Sequence, residues 1–237
     1  MTKAQSRYKI DPMTKLKTQL LELHELEHIH LDTVQEDGKR YYVDKKGEKY
    51  PSVTTVTSLL TRDQIKLWRQ RVGEEKANKV SSRAARRGTK FHSLVEDYLR
   101  KEKEYIEFED VMQEAQFKGI QPVLDEIVPI ALEAPMYSEN LKMAGRVDCI
   151  GMFDGILSII DFKTSSKFKE DYMAIPWYYQ MTAYAVMVEE LTGHPIEEVT
   201  ALVAMEDGHF QLFTADPQDY VEKLYDLRQQ YRNLYKL

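Results

Sequence analysis

The stretch GRVDCIGMFDGILSIIDFKTSS, residues 145–166, decides how the rest of the chain is read. Two runs rich in Val, Ile, Leu and Phe flank Asp154-Gly155, a dipeptide favoured in two-residue type I′ hairpin turns. With these two as the loop, Phe153 faces Ile156, and the same register sets Asp148 opposite Asp161 and Arg146 opposite Lys163. Opposed residues project to one face with Cβ atoms ~4.5–5.5 Å apart. One face of the predicted hairpin therefore carries Arg146, Asp148, Asp161 and Lys163, and the other Val147, Cys149, Phe153, Ile160 and Phe162. A one-residue slip would separate the charged set.

Charges rarely enter such strands unpaired. An exposed pair of opposed carboxylates costs about 0.2–1 kcal/mol, and more where water is scarce. A divalent cation reverses the sign of that repulsion. Asp148, Asp161 and the backbone carbonyl of Phe162 are hard oxygen donors suited to Mg²⁺, which keeps several waters when bound. Lys163 stands close enough to position or deprotonate such a water and to offset charge on a phosphate. A salt-bridge cluster at a strand edge is the alternative reading of the same residues. The acid-x-Lys triplet alone decides nothing, because it recurs from Asp37, Asp44 and Glu74. Only Asp161 ends an apolar strand opposite a second acid.

Working outward, residues 14–28 read as a short polar helix and 29–50 as short strands and turns. Ser52 is placed to cap a helix through Val56 and Leu60. Residues 63–101 are strongly helical, with an interruption expected near Gly88, and 109–128 form another helix. Strand signals occupy 130–139, 146–153 and 156–163. Pro176 suits the first turn of the next helix. A hairpin follows around Asp207-Gly208, and Asp216-Pro217 opens a terminal helix. This order predicts an α/β chain with a mixed central sheet flanked by helices, preceded by a mostly helical N-terminal region.

With 237 residues and 43% apolar side chains the chain can bury a sizeable core. Its one cysteine, Cys149, excludes an internal disulfide, a cysteine zinc site and an iron–sulfur cluster. The sequence contains no secretory apolar region and no run long enough to span a bilayer. The basic first ten residues are followed at once by Asp11 and Pro12, which argues against a mitochondrial presequence, so a reducing cytoplasm is expected, that of a host if the chain is phage-encoded. A net charge of −6 does not advertise nucleic-acid binding, but it averages over the surface. Arg83, Arg86, Arg87 and Lys90 cluster, as do Lys163, Lys167 and Lys169; each cluster is either a solvated face or a phosphate track.

The motifs GRVDCIG, SIIDFKTSSK and YYQMTAYA, with YPSVTTV, RRGTKFH and ALEA upstream, together resemble the RecB-like branch of the PD-(D/E)XK nuclease superfamily. The resemblance covers about residues 40–210 and implies a restriction-endonuclease-like core. It implies a single nuclease domain over 1–237, with 1–101 as the N-terminal region and 102–237 as catalytic core and C-terminal helix. By the same resemblance Asp148 and Asp161 are metal-binding acids, Lys163 is the catalytic lysine, and His92 lies near the metal. Glu133 is then an additional ligand, and Gln180 and Tyr184 form the Q-x-x-x-Y helix motif beside the site. Arg83, Arg86, Arg87, Lys90, Ser165 and Lys167 would contact DNA. The implied activity is a Mg²⁺-dependent exonuclease, with Mn²⁺ able to substitute. It would act on DNA with a free end, single strands preferred, in phage-like replication, recombination or repair. The expected form is a monomer, open to replication or recombination proteins as partners. A structure-specific endonuclease of the same fold, or a non-catalytic DNA-binding module, is the alternative.

One rival motif stands apart. HELEH, residues 24–28, matches the zinc-protease pattern, in which His24 and His28 would bind zinc and Glu25 act as base. The extended form fails, because Leu31 and Val34 stand where its Gly and third His belong.

Overall fold

A computed structural model describes residues 12–102 and 105–236; the basic first ten residues lie outside this range. Helix α1, Pro12–His24, runs into a 3-10 turn, Glu25–His28. Strands β1, Asp32–Glu36, β2, Lys39–Val43, and β3, Lys49–Pro51, form a small antiparallel sheet. Then come α2, Val53–Thr57, α3, Arg62–Val72, α4, Glu74–Arg100, and α5, Val111–Leu124. The main sheet begins with β4, Val128–Ser138, β5, Met143–Phe153, and β6, Ile156–Ser165. Helix α6, Asp171–Thr192, leads to β7, Glu198–Met205, β8, Phe210–Ala215, and α7, Gln218–Tyr235. The main sheet has the order β4-β5-β6-β7-β8, with β6 and β7 parallel and the other neighbours antiparallel. It is the mixed sheet expected, because only the α6 crossover returns the chain in the same direction.

Each face of the sheet is covered by its own apolar layer. On one side Ile150, Ile159, Ala201 and Val203 pack with Leu23, Met181, Val188 and Leu224 from α1, α6 and α7. On the other, Cys149, Ile160, Phe162 and Leu202 pack with Phe91, Val95, Phe117 and Ile120 from α4 and α5. Among the described residues no helix is long and apolar enough to cross a membrane.

The turn at Asp154-Gly155 forms as expected, with φ of 49° and 77° at its two residues, the positive values a type I′ turn requires. Phe153 pairs with Ile156 and the ladder runs to Cys149 with Ile160. There it stops. The Phe162 N–H is donated to the Asp148 side chain at 2.9 Å, so the predicted pairs Asp148–Asp161 and Arg146–Lys163 do not form. The predicted faces also break at this point: Val147 enters the α1/α6 layer while Cys149 enters the α4/α5 layer.

Three helix expectations are corrected. The break in the long helical stretch falls at Gly73, φ 86°, not at Gly88, which lies inside the continuous α4. Gly73 ends α3 because its backbone adopts a conformation L-residues rarely take. Pro176 is not in the first turn, since α6 starts at Asp171; it has no N–H to donate to the carbonyl one turn earlier. The stretch 25–28 of HELEH is 3-10 rather than α-helical, which removes the i, i+4 geometry the zinc motif needs.

Candidate active site

Where β5 and β6 part, a cleft of about 680 Å³ opens between the main sheet, α4, and the small β1–β3 sheet. Asp148 projects from β5, Lys163 from β6, His92 from α4, and Gln180 and Tyr184 from α6. Glu133 enters from β4 with φ of 50°, a left-handed conformation that costs a non-glycine residue about 1–2 kcal/mol. Its register position lies opposite Asp148, and both positions drop out of the β4–β5 ladder between the pairs Leu132–Cys149 and Ala134–Val147.

Two groups of side chains result. In the first, donor atoms of His92, Glu133 and Asp148 all lie within 4.8 Å of one another. Asp148 Oδ2 accepts from the Phe162 N–H and lies 3.3 Å from His92 Nδ1. Burial pushes the Asp148 carboxyl up, but the His92 hydrogen bond and the nearby His92 and Lys163 charges outweigh it and hold the carboxyl below its ordinary range. Burial likewise opposes charge on His92, yet the Asp148 hydrogen bond and charge push the imidazole up to about 9. Glu133 moves the other way for an acid: burial first, then the Asp148 and Glu96 charges, push it up to about 7.

In the second group, Asp161 Oδ1 accepts from Gln180 Nε2 at 2.8 Å and Oδ2 lies 2.5 Å from Lys163 Nζ. Lys163 Nζ also lies 3.5 Å from Gln180 Oε1. Burial disfavours the Lys163 charge, but Asp161 and Asp148 outweigh it and raise the ammonium above its usual value. Burial raises Asp161. Burial also raises the Tyr184 hydroxyl. Tyr184 packs where Gly145 leaves room, since a Cβ there would meet the ring at 2.7 Å.

The donor set fits a divalent cation. Three carboxylates are hard ligands, two of them are crowded with His92, and the buried third, Asp161, has the Lys163 ammonium as the partner of its Oδ2. Asp161 does not belong to the mutually close set, because Gln180 and Lys163 hold it. The Phe162 ring lies in the α4/α5 layer, beside the strand opening.

The predicted DNA contacts are placed differently. Arg83, Arg86, Arg87 and Lys90 line a separate groove between α4 and α5, on the side of α4 turned away from His92. Arg87 is paired with Glu206 and Lys90 with Glu109, whereas Arg83 and Arg86 are exposed. Ser165 is buried and its hydroxyl is used within a turn, donating to the Lys167 carbonyl and accepting from the Lys167 N–H; it is not a surface contact. Lys167 is exposed. The cleft instead offers Arg40 and Tyr42 from β2, Thr54 from α2, and Arg146 from β5. Of these, sequence reading marks only Arg146, through its place beside Asp148. His24 and His28 meet as ring neighbours 6.0 Å apart, and among the described residues only the His92 group gathers three metal-binding side chains.

A mixed sheet whose hairpin splits around two acids and a lysine, with a histidine facing them from a helix, is the architecture of a phosphodiester-cleaving nuclease. The chain belongs to the PD-(D/E)XK nuclease superfamily, whose family model matches residues 103–235; nucleases of this superfamily use divalent metals. It is similar to mitochondrial genome maintenance exonuclease 1 of Homo sapiens, 31% identical over 127 residues, 49% of this chain and 37% of that protein. The Mus musculus protein of that name is 30% identical over 128 residues, 49% of this chain and 38% of its own. The chain thus spans well under half the length of these relatives. The crystal structure of SSO0001 aligns with 92% of this chain and 87% of its own at 14% identity and a TM-score of 0.40, too remote to bear on function.

Proposed function

We infer that the chain is a Mg²⁺-dependent DNA exonuclease, with Mn²⁺ able to substitute, that prefers a single strand with a free end. We place it in replication, recombination or repair in a phage-like setting; the exonuclease names of its relatives accord with the activity. The observation that carries this reading is the meeting in one cleft of the His92–Glu133–Asp148 group with Lys163 and Gln180, which hold the buried Asp161 behind them. Asp148 and Asp161, with Glu133, His92 and the Phe162 carbonyl as further donors, would hold the cation. When bound, it supplies Lewis-acid polarisation of a phosphate and a more acidic water.

The chain's own residues do the rest. Lys163 is held as an ammonium by its acidic neighbours, so it serves to orient the attacking water and offset charge on the phosphate rather than as a base. Gln180 fixes both Asp161 and Lys163 through its amide. Tyr184, packed against Gly145, sets α6 against the start of β5. Arg40 and Arg146 are suited to the strand's phosphates. Arg83, Arg86 and Lys167 would extend the electrostatic footprint outside the cleft.

The test is digestion of end-labelled linear and circular single strands of one sequence in Mg²⁺. The linear strand is expected to be degraded and the circle to persist, with duplex cut slowly because its ends must fray. Rapid cutting of the circle by protein free of other nucleases would favour an endonuclease. Cutting in excess EDTA would overturn metal dependence.

A further inference from the structure

β4 is the edge strand of the main sheet, and its free side runs beside the site. An unpaired edge offers backbone groups to any passing strand. Here side chains take them. Glu27 Oε1 accepts from the Leu132 N–H at 2.5 Å, and Arg100 Nη2 donates to the Leu132 carbonyl at 2.8 Å. The two side chains are themselves paired, Arg100 Nη1 to Glu27 Oε2 at 3.0 Å, and Arg100 Nε donates to Glu96 Oε1 at 3.0 Å. Two residues earlier, His24 Nδ1 donates to the Ile130 carbonyl at 3.1 Å. The HELEH segment thus caps a sheet edge.

The geometry points to Glu27 and Arg100 as positioning residues: their pair clamps Leu132 so that Glu133 takes its left-handed backbone and delivers its carboxylate to His92 and Asp148. This rests on the metal-site reading above. The Leu132 carbonyl and the Glu133 N–H share one peptide plane, which is rigid. Arg100 therefore sets the plane from which the φ of Glu133 is turned. A strained conformation persists only where its surroundings over-determine it, and the clamp on one side with the resumed ladder at Ala134–Val147 on the other supplies that. The consequence is visible in the packing. Leu132 enters the α4/α5 layer and Ala134 the α1/α6 layer, although an unbroken strand sends residues two apart to the same face. The half-turn between them swings Glu133 into the cleft.

The test is Mn²⁺ titration of the full chain by calorimetry, with circular dichroism melts to verify folding. Glu133→Gln is expected to weaken Mn²⁺ binding. Glu27→Ala should weaken it by about tenfold or more, as loss of a residue that orients a ligand does. Glu27→Gln should lose less affinity than Glu27→Ala, because its amide oxygen still accepts from the Leu132 N–H although its NH2 cannot accept from Arg100. Decisively, Glu27→Ala added to Glu133→Gln should cause no further loss, since both act through one carboxylate. If Glu27→Ala does not fold, Arg100→Ala carries the same comparison from the carbonyl side. Additive losses, or wild-type affinity in Glu27→Ala or Arg100→Ala while Glu133→Gln is weakened, would overturn the clamp. Unchanged affinity in Glu133→Gln would overturn the metal-site reading instead, and the clamp with it.

Discussion

The metal-free protein should lose stability steadily as pH rises from about 5 to 9. Two groups carry the effect. Glu133 is pushed up to about 7 and His92 to about 9 in the folded chain. In the unfolded chain they titrate near their ordinary values, about 4.3 and 6.5. For both, the folded state binds the proton more tightly, so the contribution is fully present below the unfolded value and is lost as pH climbs through the folded one. The Glu133 window is therefore about 4.3 to 7 and the His92 window about 6.5 to 9. Asp148, held low, is ionised in both states across this range and adds no slope, whereas Asp161, raised by burial, adds to the loss in the same direction. Each group contributes up to about 1.4 kcal/mol for every pH unit crossed inside its window, a ceiling of about 3.5 kcal/mol apiece. Their side chains are 24% and 29% exposed, and water screening brings the combined loss to about 3 kcal/mol. For a chain of this size that is a fall in Tm of about 6–12 °C. The assay is a series of thermal melts in chelator, repeated with Mg²⁺ or Mn²⁺, which should flatten the slope because a cation replaces the protons. Glu133→Gln should remove the lower part of the slope and His92→Gln the upper. The reasoning fails if Tm is flat in chelator, or if both variants keep the wild-type slope.

Three other outcomes are expected. Asp148→Asn and Asp161→Asn should each lower cleavage by at least ~10²-fold in Mg²⁺ with the fold retained; cleavage within tenfold of wild type would remove that acid from the site. Lys163→Ala should lose turnover on the same scale yet keep its affinity for single strands, measured in chelator, since one phosphate contact is a small part of the footprint. Replacing Arg83 and Arg86 together should reduce the slope of log affinity against log salt by about 1.4 if both touch a single strand; an unchanged slope returns them to a solvated face.

Much of the fold is legible because its signals are local. Asp154-Gly155 sets a turn, the turn sets a register, and the register holds through Cys149–Ile160. The failure beyond that pair is physical. Alternation assumes that every residue keeps its ladder partner, but the Asp148 carboxylate replaces a backbone acceptor for Phe162, and the strands come apart at the acids. Glu133 gave no warning, since glutamate has no turn preference and its conformation is imposed from Glu27 and Arg100 far away in sequence. The orientation of the basic cluster, by contrast, could have been read. At 3.6 residues per turn, Arg83, Arg86 and Lys90 lie about 120–180° around the helix from His92, so one helix cannot turn both sets toward the same cleft.

The two departures from ideal sheet geometry have a common consequence for function. A regular β4–β5–β6 sheet would press Glu133, Asp148 and Asp161 into neighbouring ladder positions, where like charges repel and no space is left for water or phosphate. Parting β5 from β6 gives Asp148 two donors, the Phe162 N–H and His92. Turning Glu133 at the clamped edge brings a further carboxylate to the same side. The acids are thereby split between two sets of partners, with Asp161 held by Lys163 and Gln180. What remains is an Asp161 carboxyl that burial raises despite its Lys163 partner and a Glu133 carboxyl that resists ionising near neutral pH. Both are deficits that positive charge in the cleft would relieve. A site built this way holds its ligands apart without cation and draws on binding energy to collect their charge, so metal affinity and folded-state pH dependence should change together in every variant that moves Glu133.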